Sequence, residues 1–217
     1  SRILDSGTAT SKAFILVDQE GENQIAVVPG ANYSPKLQEQ SFQEGPGLLV
    51  LQLEIGNENN LVVAALAKKA GWKVVLTPAP SSEFDPKLLE FVDIITLNET
   101  EVTQLAGATD FESAGAELSK LVGLVFVTRG AQGVSVFDDG QLLGNVEAMA
   151  VDAIDATGAG DTFCGYAVAG LAQGLTPLEA AELGTVAAGI SVQSRGASNS
   201  IPSRHEVDSL MLKRRKG

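Results

Sequence analysis

The chain is short of cysteine, of basic charge and of long apolar runs, and each shortage removes a class of protein. One cysteine in 217 residues, Cys164, cannot build an internal disulfide framework, and a reducing, cytoplasmic setting fits it best. Lys and Arg number 15 against 27 Asp and Glu, a formal net charge of -12. The basic footprint that coats a duplex is missing, so no nucleic-acid partner is expected. No apolar run approaches the ~18 residues of a membrane span, and no secretory signal opens the chain, so no membrane role is expected either. No internal repeat, low-complexity tract or linker is present. The chain opens on Ser1 rather than Met, which reads as a trimmed or processed start. What is present is ordinary for a packed domain: 44% hydrophobic residues, 19% charged and a mean hydropathy of +0.13. That composition excludes disorder and suffices for one large domain or two small ones.

Glycine, 23 residues, mostly separates periodic segments. Lys12 to Asp18 (KAFILVD) and Gln24 to Val28 (QIAVV) flank a polar turn and predict a β-hairpin ended by Pro29 and Gly30. Leu48 to Leu53 (LLVLQL) predicts a strand buried on both faces. Asn57 is placed to cap a helix over Glu58 to Ala70, with Leu61, Val62, Ala65 and Leu66 on its apolar face and Gly71 as its stop. Strands are predicted over Lys73 to Leu76, Ile94 to Leu97 and Leu124 to Thr128, and helices over Glu99 to Ala106 and Phe111 to Leu121. A short helix is predicted after Asp85-Pro86. Asp138-Asp139-Gly140 predicts a second hairpin turn between Val134 to Phe137 and Gln141 to Leu143. Helices follow over Thr162 to Ala172, Pro177 to about Gln193, and His205 to Arg215. Short apolar strands alternating with helices predict an α/β fold, a mostly parallel sheet with helices on both faces. The opening hairpin does not belong in such a sheet and is expected to be a separate flap.

The most informative stretch is Asp155-Ala156-Thr157-Gly158-Ala159-Gly160-Asp161, just ahead of a helix. Small residues let a ligand approach the backbone, and unpaired amides plus the helix dipole make an anion site. A carboxylate there would repel phosphate, unless Asp161 takes a proton from an attacking hydroxyl while the amides hold the departing charge. The alternative is an N-cap Asp in a Gly-rich turn, and spacing alone does not choose. A Walker-type loop is excluded because Asp161 follows Gly160 where Gly-Lys-Ser/Thr is needed. A dinucleotide fingerprint is excluded because Phe163 stands where the third glycine belongs.

Thr128-Arg129-Gly130-Ala131-Gln132-Gly133 follows a buried-type strand, where open α/β sheets bind ligands; by itself it reads as a plain turn. Asn98-Glu99-Thr100-Glu101 reads as a near capping box, or as Glu101 orienting a hydrated Mg²⁺. Glu54, directly after a strand, is either solvated or aimed at a ligand. His205 and Trp72 read as a surface histidine and a helix–strand corner, and Cys164 as a small core residue.

Taken in order, QLE (52–54), TPAP (77–80), VDIITLNETE (92–101), TRGAQG (128–133), DATGAGDTF (155–163) and SRGAS (194–198) resemble the ribokinase-type (PfkB) carbohydrate kinases over essentially the whole chain. The resemblance implies an ATP-dependent kinase acting on the primary hydroxyl of a small sugar, most simply D-ribose to ribose 5-phosphate. It implies that Asp161 is the catalytic base, with Gly158, Ala159 and Gly160 as the anion hole. Asn98 and Glu101 would place Mg²⁺ and phosphates. Thr128 to Gly133 and Thr185 would contact ATP, and Glu54 the sugar. Asp155, Thr157, Ser191, Ser194, Gly196 and Ser200 would hold a monovalent cation, usually K⁺. Residues 1–30 would form a β lid hairpin, through which family members often dimerise, and 31–217 the kinase core.

Two departures stand against the family pattern. Thr77 occupies a position often held by Asn, which touches the sugar preference. The family's N-terminal strands, Gly-Gly motif and sugar-gripping Asp have no counterpart here. The chain is therefore expected to start inside the fold, to expose a sheet edge, and to turn over little ribose alone. The other readings are an inactive nucleotide-binding fragment or pseudokinase needing a partner chain, and a related kinase for deoxyribose, fructose or a nucleoside.

Overall fold

The computed structural model describes residues 7–17, 23–33, 42–81 and 84–214. Strands β1 (Lys12–Val17) and β2 (Asn23–Val28) pair antiparallel, Phe14 opposite Ala26, as a two-stranded sheet of their own. The polar turn joining them and the residues after Arg214 lie outside the described residues.

The main sheet holds β3 (Leu48–Gln52), β4 (Lys73–Thr77), β5 (Ile94–Asn98), β6 (Leu124–Thr128), β7 (Val134–Asp138) and β8 (Gln141–Val146), side by side in that order. The first four are parallel; β7 and β8 add antiparallel. Asp139 (φ 47°) and Gly140 (φ 82°) form the β7–β8 turn, where two left-handed residues match the strand twist. Helices α1 (Asn57–Lys69), α2 (Glu99–Ala106) and α3 (Phe111–Val122) cover one face, and α4 (Ala159–Ala172) and α5 (Pro177–Ser191) the other. Helix α6 (Arg204–Arg214) packs Val207 against Leu183, Val186 and Ala187 of α5.

Strand alternation divides the core. Val74, Leu76, Ile95, Leu97, Val125 and Val127 face α1–α3, while Val75, Ile94 and Phe126 face Phe163, Cys164 and Ala167 of α4. The continuous apolar strand sequences arise because both faces are covered.

Three expectations are corrected. Strand β3 is not buried on both faces: it is the edge strand among the described residues, only Leu51 is buried, and Val50 is half exposed. Gly56 (φ 82°), not Asn57, is the N-cap of α1. That helix buries Asn60, Val63, Ala64 and Ala67 rather than the bulkier Leu61–Leu66 stripe, because small residues let it lie close to the sheet. The short helix expected after Asp85 is present as a 3-10 helix (Pro86–Glu90), with Pro86 at its start and the Asp85 carboxylate accepting from the Lys87 amide. Trp72 does sit at the α1–β4 corner, edge-on to Phe42 and donating to the Gln43 carbonyl.

Candidate active site

Parallel strands end on the same side, so the segments after β3 to β6 converge on one rim of the sheet. Gln52 pairs with Thr77, and Asn98 with Thr128, as the last rungs of their ladders. Glu54 lies exposed in the 3-10 turn Leu53–Ile55 that follows β3. The Thr77 hydroxyl donates to the sulfur of Cys164 at 3.4 Å, which lays the first turns of α4 across the end of β4. Burial pushes the Cys164 thiol up, and the Thr77 hydroxyl opposes that shift.

The mouth of α4 differs from those of its neighbours. Helices α2, α3 and α5 are each closed by a side chain, from Asn98, Asp110 and Thr176. Helix α4 starts from Gly158 in a left-handed conformation (φ 75°), and no side chain caps it. The Ala159 amide is taken by the Ala156 carbonyl at 3.1 Å, and Thr162 binds the Gly158 carbonyl through both its amide and its hydroxyl, each at 2.9 Å. The amides of Gly160 and Asp161 therefore remain at the mouth, with the helix dipole behind them. The helix begins at Ala159 rather than at the expected Thr162, because Ala159 and Gly160 carry no apolar signal. Asp161 is thus its third residue and not an N-cap; its side chain is exposed.

The loop ahead of α4 is tied to the segment after α5. The Asp155 carboxylate accepts from the amides of Gly196 and Thr157, each at 2.9 Å. The Gly196 contact, followed by those from Thr157, holds this acid at about 2. The Val192 carbonyl accepts from Ile154 and Asp155. Ser191 and Ser200 are buried, each donating to a backbone carbonyl three residues back. Asp155, Thr157 and Gly196 are thus brought together directly; Ser191, Ser194 and Ser200 border the same segment. Among the described residues no cluster of three or more His, Cys, Asp or Glu could hold a metal ion. The donors here are one carboxylate with neutral carbonyl and hydroxyl oxygens, a set suited to a singly charged hard cation more than to a divalent one.

Beside the α4 mouth lies an apolar cavity of about 290 Å³. Expected residues line it from three elements: Thr128, Gly130, Ala131 and Gly133; Ala159 and Gly160; and Thr185. The Thr185 hydroxyl is buried without a hydrogen-bond partner. A second, more open concavity of about 390 Å³ lies along the other side of α4, lined by Asp161, Thr162, Tyr166 and Arg204 among others. The first turn of α4 stands between the two, Gly160 toward one and Asp161 toward the other.

Asn98 and Glu101 form a complete capping box: Asn98 Oδ1 accepts from the Glu101 amide at 2.8 Å, and Glu101 Oε2 from the Asn98 amide at 2.9 Å. That box leaves Glu101 Oε1 without a part in it. The side chain of Arg129 does not line the cavity. The sequence reading missed the cavity's apolar wall, Ala148, Met149, Val151, Ala188, Gly189 and Val192. The run Ala148 to Val151, apolar yet without a helical or strand period, was the available signal.

An α/β sheet with this rim and this uncapped helix mouth defines a ribokinase-like fold. The crystal structure of a ribokinase from Thermotoga maritima superposes with a TM-score of 0.86 at 34% identity, over 94% of this chain and 70% of that one. A structure of Arabidopsis thaliana ribokinase complexed with ribose and ATP matches at 0.79 and 30% identity, over 94% and 69%. A Haemophilus influenzae ribokinase is 40% identical over 208 residues, 91% of this chain and 68% of that one. The chain spans roughly two thirds of the length of the curated relatives it matches. The family model described as pfkB family carbohydrate kinase matches residues 1–204. The chain belongs to the pfkB family of carbohydrate kinases.

Proposed function

We propose that this chain carries the nucleotide half and the catalytic base of an ATP-dependent sugar kinase that converts D-ribose to ribose 5-phosphate. The observation that carries the reading is the α4 mouth: uncapped amides at Gly160 and Asp161, an apolar cavity on one side and a free carboxylate on the other. ATP fits the cavity by chemistry. A purine and ribose suit apolar walls, and the phosphates suit the amides and the glycine-rich turn Gly130–Gln132. Relatives named ribokinase support ribose as acceptor, and Glu54, exposed in the turn after β3, would contact it.

Asp161 takes the proton from the primary hydroxyl as that oxygen attacks the γ-phosphorus in line. The P–O bond to the leaving ADP breaks, and the charge on the moving phosphoryl oxygens meets the amides of Gly160 and Asp161. Fixed amides are needed because the protein's overall charge of -12 repels ATP. Mg²⁺, which neutralises phosphate charge when bound, would be held through Glu101 Oε1 and retained water. K⁺ would sit among Asp155, Thr157, Ser191, Ser194, Gly196 and Ser200, where it would steady the loop that leads into α4.

The hairpin β1–β2 is the lid and homodimer contact in this reading. Phe14, Leu16, Val27 and Val28 are all more than half exposed there, and a two-stranded ribbon is marginal without a partner surface. The buried free thiol Cys164 suits the cytoplasm.

The test is ADP formation by the complete gene product that carries this chain, with Mg²⁺ and K⁺ present, across D-ribose, 2-deoxyribose, fructose and nucleosides. Ribose should give the largest kcat/KM, and replacing K⁺ by a bulky organic cation should lower nucleotide affinity. No ATP binding and no acceptor-stimulated ADP formation would refute the reading.

A further inference from the structure

Arg129 lies in the loop proposed to face the nucleotide, yet its guanidinium is committed elsewhere. Its Nε donates to Glu99 Oε1 at 3.1 Å, its Nη2 donates to Gln132 Oε1, and its plane lies 4.4 Å above the Phe111 ring. The side chain is four-fifths buried by these partners. Each partner belongs to a different element. Glu99 opens α2 next to Asn98, Phe111 opens α3, and Gln132 ends the 3-10 turn that lines the cavity. The β5–β6 ladder stops at Asn98 and Thr128, so Arg129 continues the connection beyond the sheet.

We infer that Arg129 is a positioning residue, acting through Glu99 and Phe111 to hold the Gly130–Gln132 turn in register with the Asn98/Glu101 box. The two segments proposed to face phosphate then form one rigid cradle. The inference rests on the ATP-binding reading above. A guanidinium suits the task because it can stack on a ring and donate sideways at once, which an ammonium cannot. Neutralised by Glu99, it adds little field toward a phosphate.

The experiment measures MgATP dissociation constants, KM for ATP against kcat, acceptor KM and Tm. The variants are Arg129→Met, Arg129→Lys, Glu99→Gln and the Met/Gln double. Arg129→Met and Glu99→Gln should each weaken ATP binding about five- to tenfold, and the double variant should be no worse than Arg129→Met. Arg129→Lys should recover part of the loss; kcat and acceptor KM should hold. If Glu99→Gln leaves ATP binding unchanged or tighter, Arg129 is a direct phosphate ligand or an idle one, and the inference falls. A lower Tm with unchanged ATP affinity marks a purely structural clamp and overturns it as well. Should Arg129→Met fail to fold, the half-exposed Glu99→Gln decides alone. A parent that binds no ATP overturns the functional reading and this inference together. A parent that binds ATP as tightly as both single variants do overturns only the inference.

Discussion

Replacing Gly184 by alanine tests whether α4 is placed by its contact with α5. A methyl group at Gly184 would stand 2.7 Å from Phe163 Cδ2 and 2.8 Å from the Phe163 carbonyl oxygen. Carbon contacts settle near 3.5–4.0 Å, so something must retreat by about 1 Å. The Phe163 ring is 2% exposed and edge-on to Phe126 at 5.9 Å, with room only toward the apolar cavity it lines. A backbone carbonyl cannot rotate aside, so α4 itself must shift, two residues downstream of Asp161. Overpacking of this kind costs about 1–3 kcal/mol, and alanine's helix preference over glycine returns up to about 1 kcal/mol. On central values the clash wins by about 1 kcal/mol, a Tm drop of roughly 2–4 °C for a chain of this size. Gly165→Ala is the control. It lies on the exposed face of α4 with nothing within 4 Å of the new methyl, and its Tm should rise by roughly 2–4 °C. Scanning calorimetry on both variants reads the difference, and ATP titration should show weaker binding only for Gly184→Ala. A Gly184→Ala protein that melts at or above the wild type would refute this account of how α4 is seated.

Two further outcomes follow from the loops. Asp155 is held at about 2 against an ordinary 3.8, so its contribution to stability is full above about pH 4 and is lost as pH falls toward about 2. The Tm gap between wild type and Asp155→Asn should therefore be flat above that range and close below it; a gap that persists at pH 2 would remove Asp155 as the tie between the two loops. Gly133 has φ +90°, and an added methyl would fall on the Val146 carbonyl oxygen and 2.7 Å from the Ala148 amide. Gly133→Ala should cost about 2–4 kcal/mol in urea denaturation and weaken ATP binding, whereas an unchanged midpoint would contradict the packing of the β6–β7 corner.

The strands and capped helices were legible because local chemistry determines them. Asn98 with Glu101, and Asp139-Gly140, each satisfy their own backbone within a few residues, and the sheet's apolar runs demand two covers. What escaped depended on distant partners. The close seat of α1 on Val63, Ala64 and Ala67 is set by the sheet beneath it, and residue size along the helix pointed to the wrong stripe. The start of α4 escaped because Ala159 and Gly160 have no apolar signature, and the same smallness is what leaves amides open at the mouth. At the site, the motifs located Asp161, the glycine turn and the Asp155 loop. The cavity wall around Met149 comes from a segment with no periodic signal, and the Glu99–Arg129–Phe111 contact joins residues 12 to 30 positions apart.

The most direct measurement compares the protein with its Asp161→Asn variant. The substitution keeps the size and place of the side chain at the third residue of α4 and removes only its ability to accept the hydroxyl proton. ATP affinity should stay the same or tighten, since a negative charge leaves the mouth, while phosphoryl transfer to ribose should fall about 10²–10⁴-fold. Turnover equal to the parent's, or loss of ATP binding in step with turnover, would contradict a carboxylate base set beside an amide-lined phosphoryl site.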